Sequence, residues 1–329
     1  MIRVLKSGLL TTVQDLGRPG YQQYGIVVGG ALDAFSARVA NLITGNDDNA
    51  AVLEMAQTGP ELLCEEDTLV AWCGADFVAQ VGGKPLPRDR AVRVAAGETI
   101  TFGLARTGLR AWLAFAGGID EPLVLGSRST YRRAGIGGHE GRPLIAGDIL
   151  KLGAPPDRAG KTLASLQAAG SRATAWSVRA EFLGRPAAAG LVRAMRGPEW
   201  AWFTPEAQQA FFSVPWQATK EADRMGVRLE GQELALVKPR EMISSCVNTG
   251  VVQVPAAGQP IVLLPSRQSV GGYPRLAAVA ASDLGRCSQL RPGDKVQFQE
   301  ITLTAAHELY LARERDLNRL RAGLARLTG

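Results

Sequence analysis

Gln253, Arg267, Gln268 and Tyr273 accompany the glycine pair Gly271-Gly272 in residues 253–283, which read QVPAAGQPIVLLPSRQSVGGYPRLAAVAASD. A strand-like run leads to Ser266-Arg267-Gln268-Ser269, and the chain then breaks at Gly271-Gly272-Tyr273-Pro274. A small-residue apolar run follows. Arg267 offers a fork of donors, Gln253 and Gln268 each bring a donor and an acceptor, and Tyr273 adds a hydroxyl. Glycines let backbone come close to a ligand. These groups suit a planar polar ligand carrying an anionic oxygen. The plain alternative is a long loop between two strands.

Three other stretches carry candidate chemistry. TTVQDLGRPG places Gln14, Asp15 and Arg18 in a turn-prone segment, where they could line a second wall of a site or form a surface Asp-Arg pair of little energetic weight. Residues 126–142, GSRSTYRRAGIGGHEGR, bring Arg128, Ser129 and several glycines together. Glycine-turn amides and arginines can cradle phosphate or carboxylate, although this loop has no Gly-Lys-Ser/Thr and is not a Walker A motif. Asp223-Arg224 precede a glycine and a strand and are candidates for the same anion-binding role. A mobile surface loop or an ordinary ion pair would explain each of them equally well.

Other chemistries are disfavoured. His139 and His307 are the only histidines and lie far apart, which argues against a His-based metal site or a Ser-His-Asp triad, and no metal is expected. Cys64, Cys73, Cys246 and Cys287 form no CxxC pair and read as buried thiols, Cys246 included. The net charge of +6 comes from scattered bases, mostly arginine, with no lysine block and no aromatic-basic alternation; nucleic acid is not an expected partner. No apolar run reaches the roughly 18 residues of a membrane span, and the N-terminus lacks signal-peptide features. The expectation is a cytoplasmic protein without membrane contact.

The elements that must hold these groups are mainly β. The chain's 329 residues suit two domains. Asp33 is placed to cap a helix from about Ala34 to Thr44, and Gly45 to stop it. From Val52 to Leu152, short alternating runs recur at roughly ten-residue spacing, which predicts a barrel or sandwich. A Gly-acid turn launches a strand three times, at Gly97-Glu98, Gly147-Asp148 and Gly293-Asp294. Four segments are expected: a β-rich domain over residues 1–155, a Pro/Gly/Ala/Ser-rich linker over 156–177, a second β domain over 178–303, and an amphipathic helix over 304–329. Trp200, Trp202 and Phe203 read as core or interface aromatics.

Taken in order, these motifs resemble the carboxyltransferase C/D-type family, which includes the C-type subunit of ATP-dependent 5-oxoprolinase and the matching part of urea carboxylase. The carriers are TTVQDLGRPG, GGALD with Asn41 and Asn46 after it, Glu54 with Gly59-Pro60, GSRST and GGHEGR, and then RGPE, DRMGVRL, VQVPAAGQPIVL, RQSVGGYP and QLRPGD. The resemblance spans about residues 3–300. It implies cyclophilin-like β-barrel domains, an obligate B-like partner protein and a further A-like one. It also implies ATP, with magnesium, used at the level of the complex to open 5-oxoproline to glutamate. On this reading Arg267, helped by Arg128, holds an anionic oxygen, Gln253, Gln268 and Tyr273 orient the amide of a small-molecule substrate, and Gln14, Asp15 and Arg18 form the other wall.

Two positions depart from the family pattern: Ser245 and Ser266 stand where acids are usual, which removes possible general bases and leaves a divergent paralogue in play. Ala194-Met195-Arg196 lacks the lysine that carries biotin, so a carboxyltransferase role on a urea-like or amide substrate would need a biotinylated partner. A third reading is a non-enzymatic partner of a kinase-inhibitory protein.

Overall fold

The computed structural model describes residues 1–183 and 190–327. Residues 184–189, inside the expected second domain, and 328–329, the end of the expected tail helix, lie outside the described residues. The chain forms two compact units: Met1–Arg18, Gly29–Arg185 and Asp316–Gly329 make one, Pro19–Val28 and Pro186–Arg315 the other. The stretch expected as a linker belongs to the first unit and holds a helix. Its alanines and leucines bury Ala159 and Leu166, and Ala173 bridges to Val92.

The first unit carries strands β1 (Ile2–Lys6), β2 (Leu10–Gln14), β3 (Val52–Ala56), β4 (Glu61–Cys64), β5 (Thr68–Val81), β6 (Lys84–Pro85), β7 (Val92–Val94), β8 (Thr99–Phe115) and β9 (Ile149–Leu150), with helices α1 (Ala34–Thr44) and α2 (Asp157–Ala168). They build a nine-stranded sheet of order β2-β3-β8-β4-β1-β9, and β5 joins β6, β7 and β8. The long β5–β8 pairing supplies the spine. Trp72, Phe77 and Phe102 meet edge-to-face in its core, with centroids 5.3–6.5 Å apart. Fully burying a side chain of this size contributes about 1.5–3 kcal/mol. The predicted α1 bounds hold: the Asp33 side chain accepts from Ser36 N, and Gly45 ends the helix in the left-handed region.

The second unit contains β10 (Leu191–Arg196), α3 (Pro205–Ser213), β11 (Trp216–Ala218), β12 (Gly226–Glu230), β13 (Ser245–Cys246), β14 (Val251–Gln253), β15 (Ile261–Leu263), β16 (Val270–Gly271), β17 (Arg275–Val279), α4 (Leu284–Ser288) and β18 (Lys295–Glu300). Seven strands close a barrel in the order β10-β17-β14-β15-β12-β11-β18, sealed by the parallel β10–β18 pair. Closure leaves no free sheet edge in the ring. Phe211 stacks on Phe298 at 4.5 Å in its core, beside Trp216. Of the expected aromatics, Phe203 is buried, while Trp200 and Trp202 are half-buried beneath Arg196 and Arg240. β13 and β16 form a separate two-stranded ribbon outside the ring.

The three Gly-acid turns use one device. Glu98, Asp148 and Asp294 each accept from the backbone N–H three residues upstream, at Ala95, Ile145 and Arg291, and β8, β9 and β18 follow at once. Helix α5 (Leu303–Arg326) buries Leu317 and Leu324, while Leu327 is exposed. The fold is therefore mainly β as expected, with a closed barrel, a half-barrel and a C-terminal helix. No helix among the described residues is long and apolar enough to cross a membrane.

Candidate functional site

Arg267 sits in a tight turn after β15, fixed by its N–H donating to Leu264 O at 2.9 Å. A turn at 223–226 buttresses this one: Leu264 N donates to Met225 O and Ser266 N to Arg224 O. Asp223 organises that turn, since its Oδ1 accepts from Met225 N at 2.7 Å and from Gly226 N at 3.2 Å. Asp223 and Arg224 are thus brought to the Ser266-Arg267 segment, and the Asp223 carboxylate is occupied with backbone. The Arg267 side chain is 2 % exposed, and its Nε and Nη1 are buried without a hydrogen-bond partner. Burial pushes its guanidinium pKa down.

The β13–β16 ribbon belongs to the same region. Ser245 pairs with Gly271 and Cys246 with Val270, and Val247 N donates to Ser269 O. Gln253, at the end of β14, donates from Nε2 to Tyr273 O at 3.2 Å, and its amide packs on Gly271 so closely that any side chain there would collide with it. Gln268 is half-buried and Tyr273 is 47 % exposed. The hydroxyls of Ser245 and Ser269 are buried and unpartnered. Sequence reading treated Ser245 only as a lost acid and named Ser269 only as part of a polar turn; the pairing of residues 245–247 with 269–271 was the missing signal. Cys246, expected as a buried thiol, is exposed, because it falls on an outward position of the ribbon.

The first-unit candidates are joined by hydrogen bonds. Asp15 Oδ1 accepts from Gly17 N (2.8 Å), Ser127 Oγ (2.6 Å) and Ser129 Oγ (2.5 Å), and Oδ2 accepts from Arg128 N (2.6 Å). The expected surface Asp15–Arg18 pair is not formed: both side chains are buried, and the Arg18 guanidinium donates to Ser129 O and Val124 O. Gln14 reaches Thr12 Oγ1 and Thr130 O. Arg128 bonds Glu121 O and Asp120. Gln14, Asp15, Arg18, Arg128 and Ser129 thus converge, as a brace that ties residues 14–18 to residues 124–130. Gln14 Oε1 and Arg18 Nη1 are its unsatisfied atoms. No group of three or more His, Cys, Asp or Glu among the described residues could hold a metal ion, so no magnesium step is placed on this chain.

The profile of the carboxyltransferase domain, subdomain A and B, matches residues 24–300. The chain belongs to this family. It is 38% identical to the C-type subunit of 5-oxoprolinase from Escherichia coli, covering 93% of both chains, and 34% identical to the same protein from Haemophilus influenzae, covering 98% of both. Urea amidolyase of Lachancea kluyveri is 31% identical over 97% of this chain, which spans only 18% of that protein. The solved urea carboxylase of Kluyveromyces lactis superposes with a TM-score of 0.87 at 26% identity, over 97% of this chain and 29% of the larger one.

Several motif residues of this carboxyltransferase domain are structural. Glu54 Oε2 accepts from Leu32 N and Trp112 Nε1, both at 2.9 Å, which anchors the GGALD turn to the sheet. Asn46 clamps Phe115 O and Gly117 N, and Asn41 bonds Ala50 O. In RGPE, a Cβ at Gly197 would run into the Arg275 carbonyl. Glu199 is held below the usual carboxylate range by hydrogen bonds from Arg275, against the opposing effect of burial.

Proposed function

We propose that this chain acts as the C-type subunit of an ATP-dependent 5-oxoprolinase, working in a heteromer with B-like and A-like subunits to open 5-oxo-L-proline to L-glutamate. The observation that carries this reading is the mutual end-to-end match with two proteins named as C-type subunits of 5-oxoprolinase, against a match to less than a fifth of the urea amidolyase.

Opening an unactivated lactam needs the amide oxygen or a carboxyl group made reactive, and ATP would supply that activation at the level of the complex. This chain contributes position and charge rather than a covalent nucleophile. Arg267 provides a buried positive charge for an anionic group. Gln253, Gln268 and Tyr273 line the amide side. The Asp15–Ser129 brace shapes the first unit.

The test is ATP-dependent glutamate release from 5-oxoproline by the chain purified with its B-like and A-like partners, omitting each protein in turn. Release that disappears without this chain supports the reading. A well-formed complex that releases no glutamate overturns it and turns attention to ureas and other amides.

A further inference from the structure

The second unit treats its arginines unequally. Arg193 forks onto the buried Asp283, with Nε 2.8 Å from Oδ2 and Nη2 2.5 Å from Oδ1. Arg275 forks onto Glu199 in the same way, at 2.8 and 2.7 Å. Arg267 is among the most deeply buried of the unit's arginines, yet its Nε and Nη1 have no hydrogen-bond partner among the described residues. An uncompensated buried cation is costly, and a fold that pairs two other arginines of the unit bidentately does not lack the means to pair a third.

A second observation lies beside it. Of the ten buried polar side-chain atoms without a partner among the described residues, four fall on Ser245, Arg267 and Ser269. These are the only serine hydroxyls in that group, and the β13–β16 ribbon brings residues 245–247 against 269–271. Gly271, packed against the Gln253 amide, keeps side-chain bulk out of the ribbon at that point. A buried cation and two hydroxyls left unpartnered on residues 267–269 and the ribbon strand paired with them match an anion with two or more acceptor oxygens.

We infer that Arg267, with the Ser245 and Ser269 hydroxyls, forms a specificity cradle for the carboxylate of the substrate, so that the site selects an anionic lactam and rejects neutral ureas and amides. The inference rests on the proposed 5-oxoprolinase role and names the group by which its substrate is held. The ligand supplies the counterion that the fold withholds. A neutral ligand of the same shape leaves the guanidinium buried and unpaired, which is why discrimination is steep.

The experiment uses the full chain and isothermal calorimetry with four probes: 5-oxo-L-proline, its neutral carboxamide, urea and inorganic phosphate. The carboxylate is expected to bind at least about tenfold more tightly than the carboxamide or urea, because a charge-paired site penalises the uncharged analogue. Arg267→Gln is expected to abolish that preference, and Ser269→Ala to reduce it several-fold. Thermal unfolding separates a ligand role from a structural one: Arg275→Gln is expected to lower Tm, whereas Arg267→Gln leaves it unchanged or raises it. Equal binding of the carboxamide, preference for phosphate, binding by none of the probes, or a Tm loss in Arg267→Gln matching that of Arg275→Gln would each overturn the inference. Glutamate release by the complex without carboxylate preference sinks this inference alone. Carboxylate preference without glutamate release sinks the proposed function alone.

Discussion

Replacing Asp15 should unlatch the first unit rather than impair ligand binding. Four donors converge on its carboxylate: the backbone N–H groups of Gly17 and Arg128 and the hydroxyls of Ser127 and Ser129. In Asp15→Ala the two hydroxyls can swing to other acceptors, but the two backbone donors cannot. Each buried donor left unmade costs about 1–3 kcal/mol, so the expected loss is about 3–5 kcal/mol. For a unit of this size, that corresponds to a Tm drop of roughly 6–20 °C. Asp15→Asn keeps the acceptor that serves Gly17, Ser127 and Ser129 and turns an amide donor toward Arg128 N, so it should cost about half as much. Calorimetric unfolding of the full chain reads both variants. A loss below about 1 kcal/mol for Asp15→Ala, or equal losses for the two variants, would refute the brace.

Two further expectations concern acid and thiol chemistry. Asp283 is held below the usual carboxylate range because its bonds with Arg193 outweigh the upward effect of burial, and Glu199 is lowered by Arg275. Both groups therefore contribute stability that is complete above the ordinary carboxylate pKa of about 4 and is lost as pH falls through their lower folded values. Glu199→Gln should flatten that acid limb in denaturant titrations between about pH 5 and pH 2, and an unchanged slope would count against the pairing. Burial pushes the Cys64 and Cys287 thiols up to about 12, Cys73 is buried, and Cys246 is exposed. A thiol reagent such as DTNB should therefore label one cysteine rapidly in the native chain and four after denaturation, with Cys246→Ser removing the fast one.

Local chemistry was legible in the sequence because it depends on neighbours a few residues apart. Asp33 and Gly45 marked both ends of α1, since a cap needs only the N–H three residues on and a stop needs only a residue tolerant of positive φ. The Gly-acid turns announced β8, β9 and β18 for the same reason. The ordered motifs sufficed to indicate the family. The supposed linker misled because its Ala- and Ser-rich composition suits a helix as readily as a tether; burial of Ala159 and Leu166 decided for the helix.

Tertiary structure decided which polar residues hold the protein together and which remain open. QDLGR and SRQS look alike in sequence, each with an arginine among small polar residues. Only the fold brings residues 127–129, more than a hundred positions away, onto Asp15 and so uses up its carboxylate. Only the ribbon pairing of residues 245–246 with 270–271 reveals two buried hydroxyls without partners in the region of an unpaired Arg267. Hydrogen-bond satisfaction and counterion pairing depend on groups remote along the chain. A sequence can therefore name the donors and acceptors, but it cannot say which of them the fold has already matched.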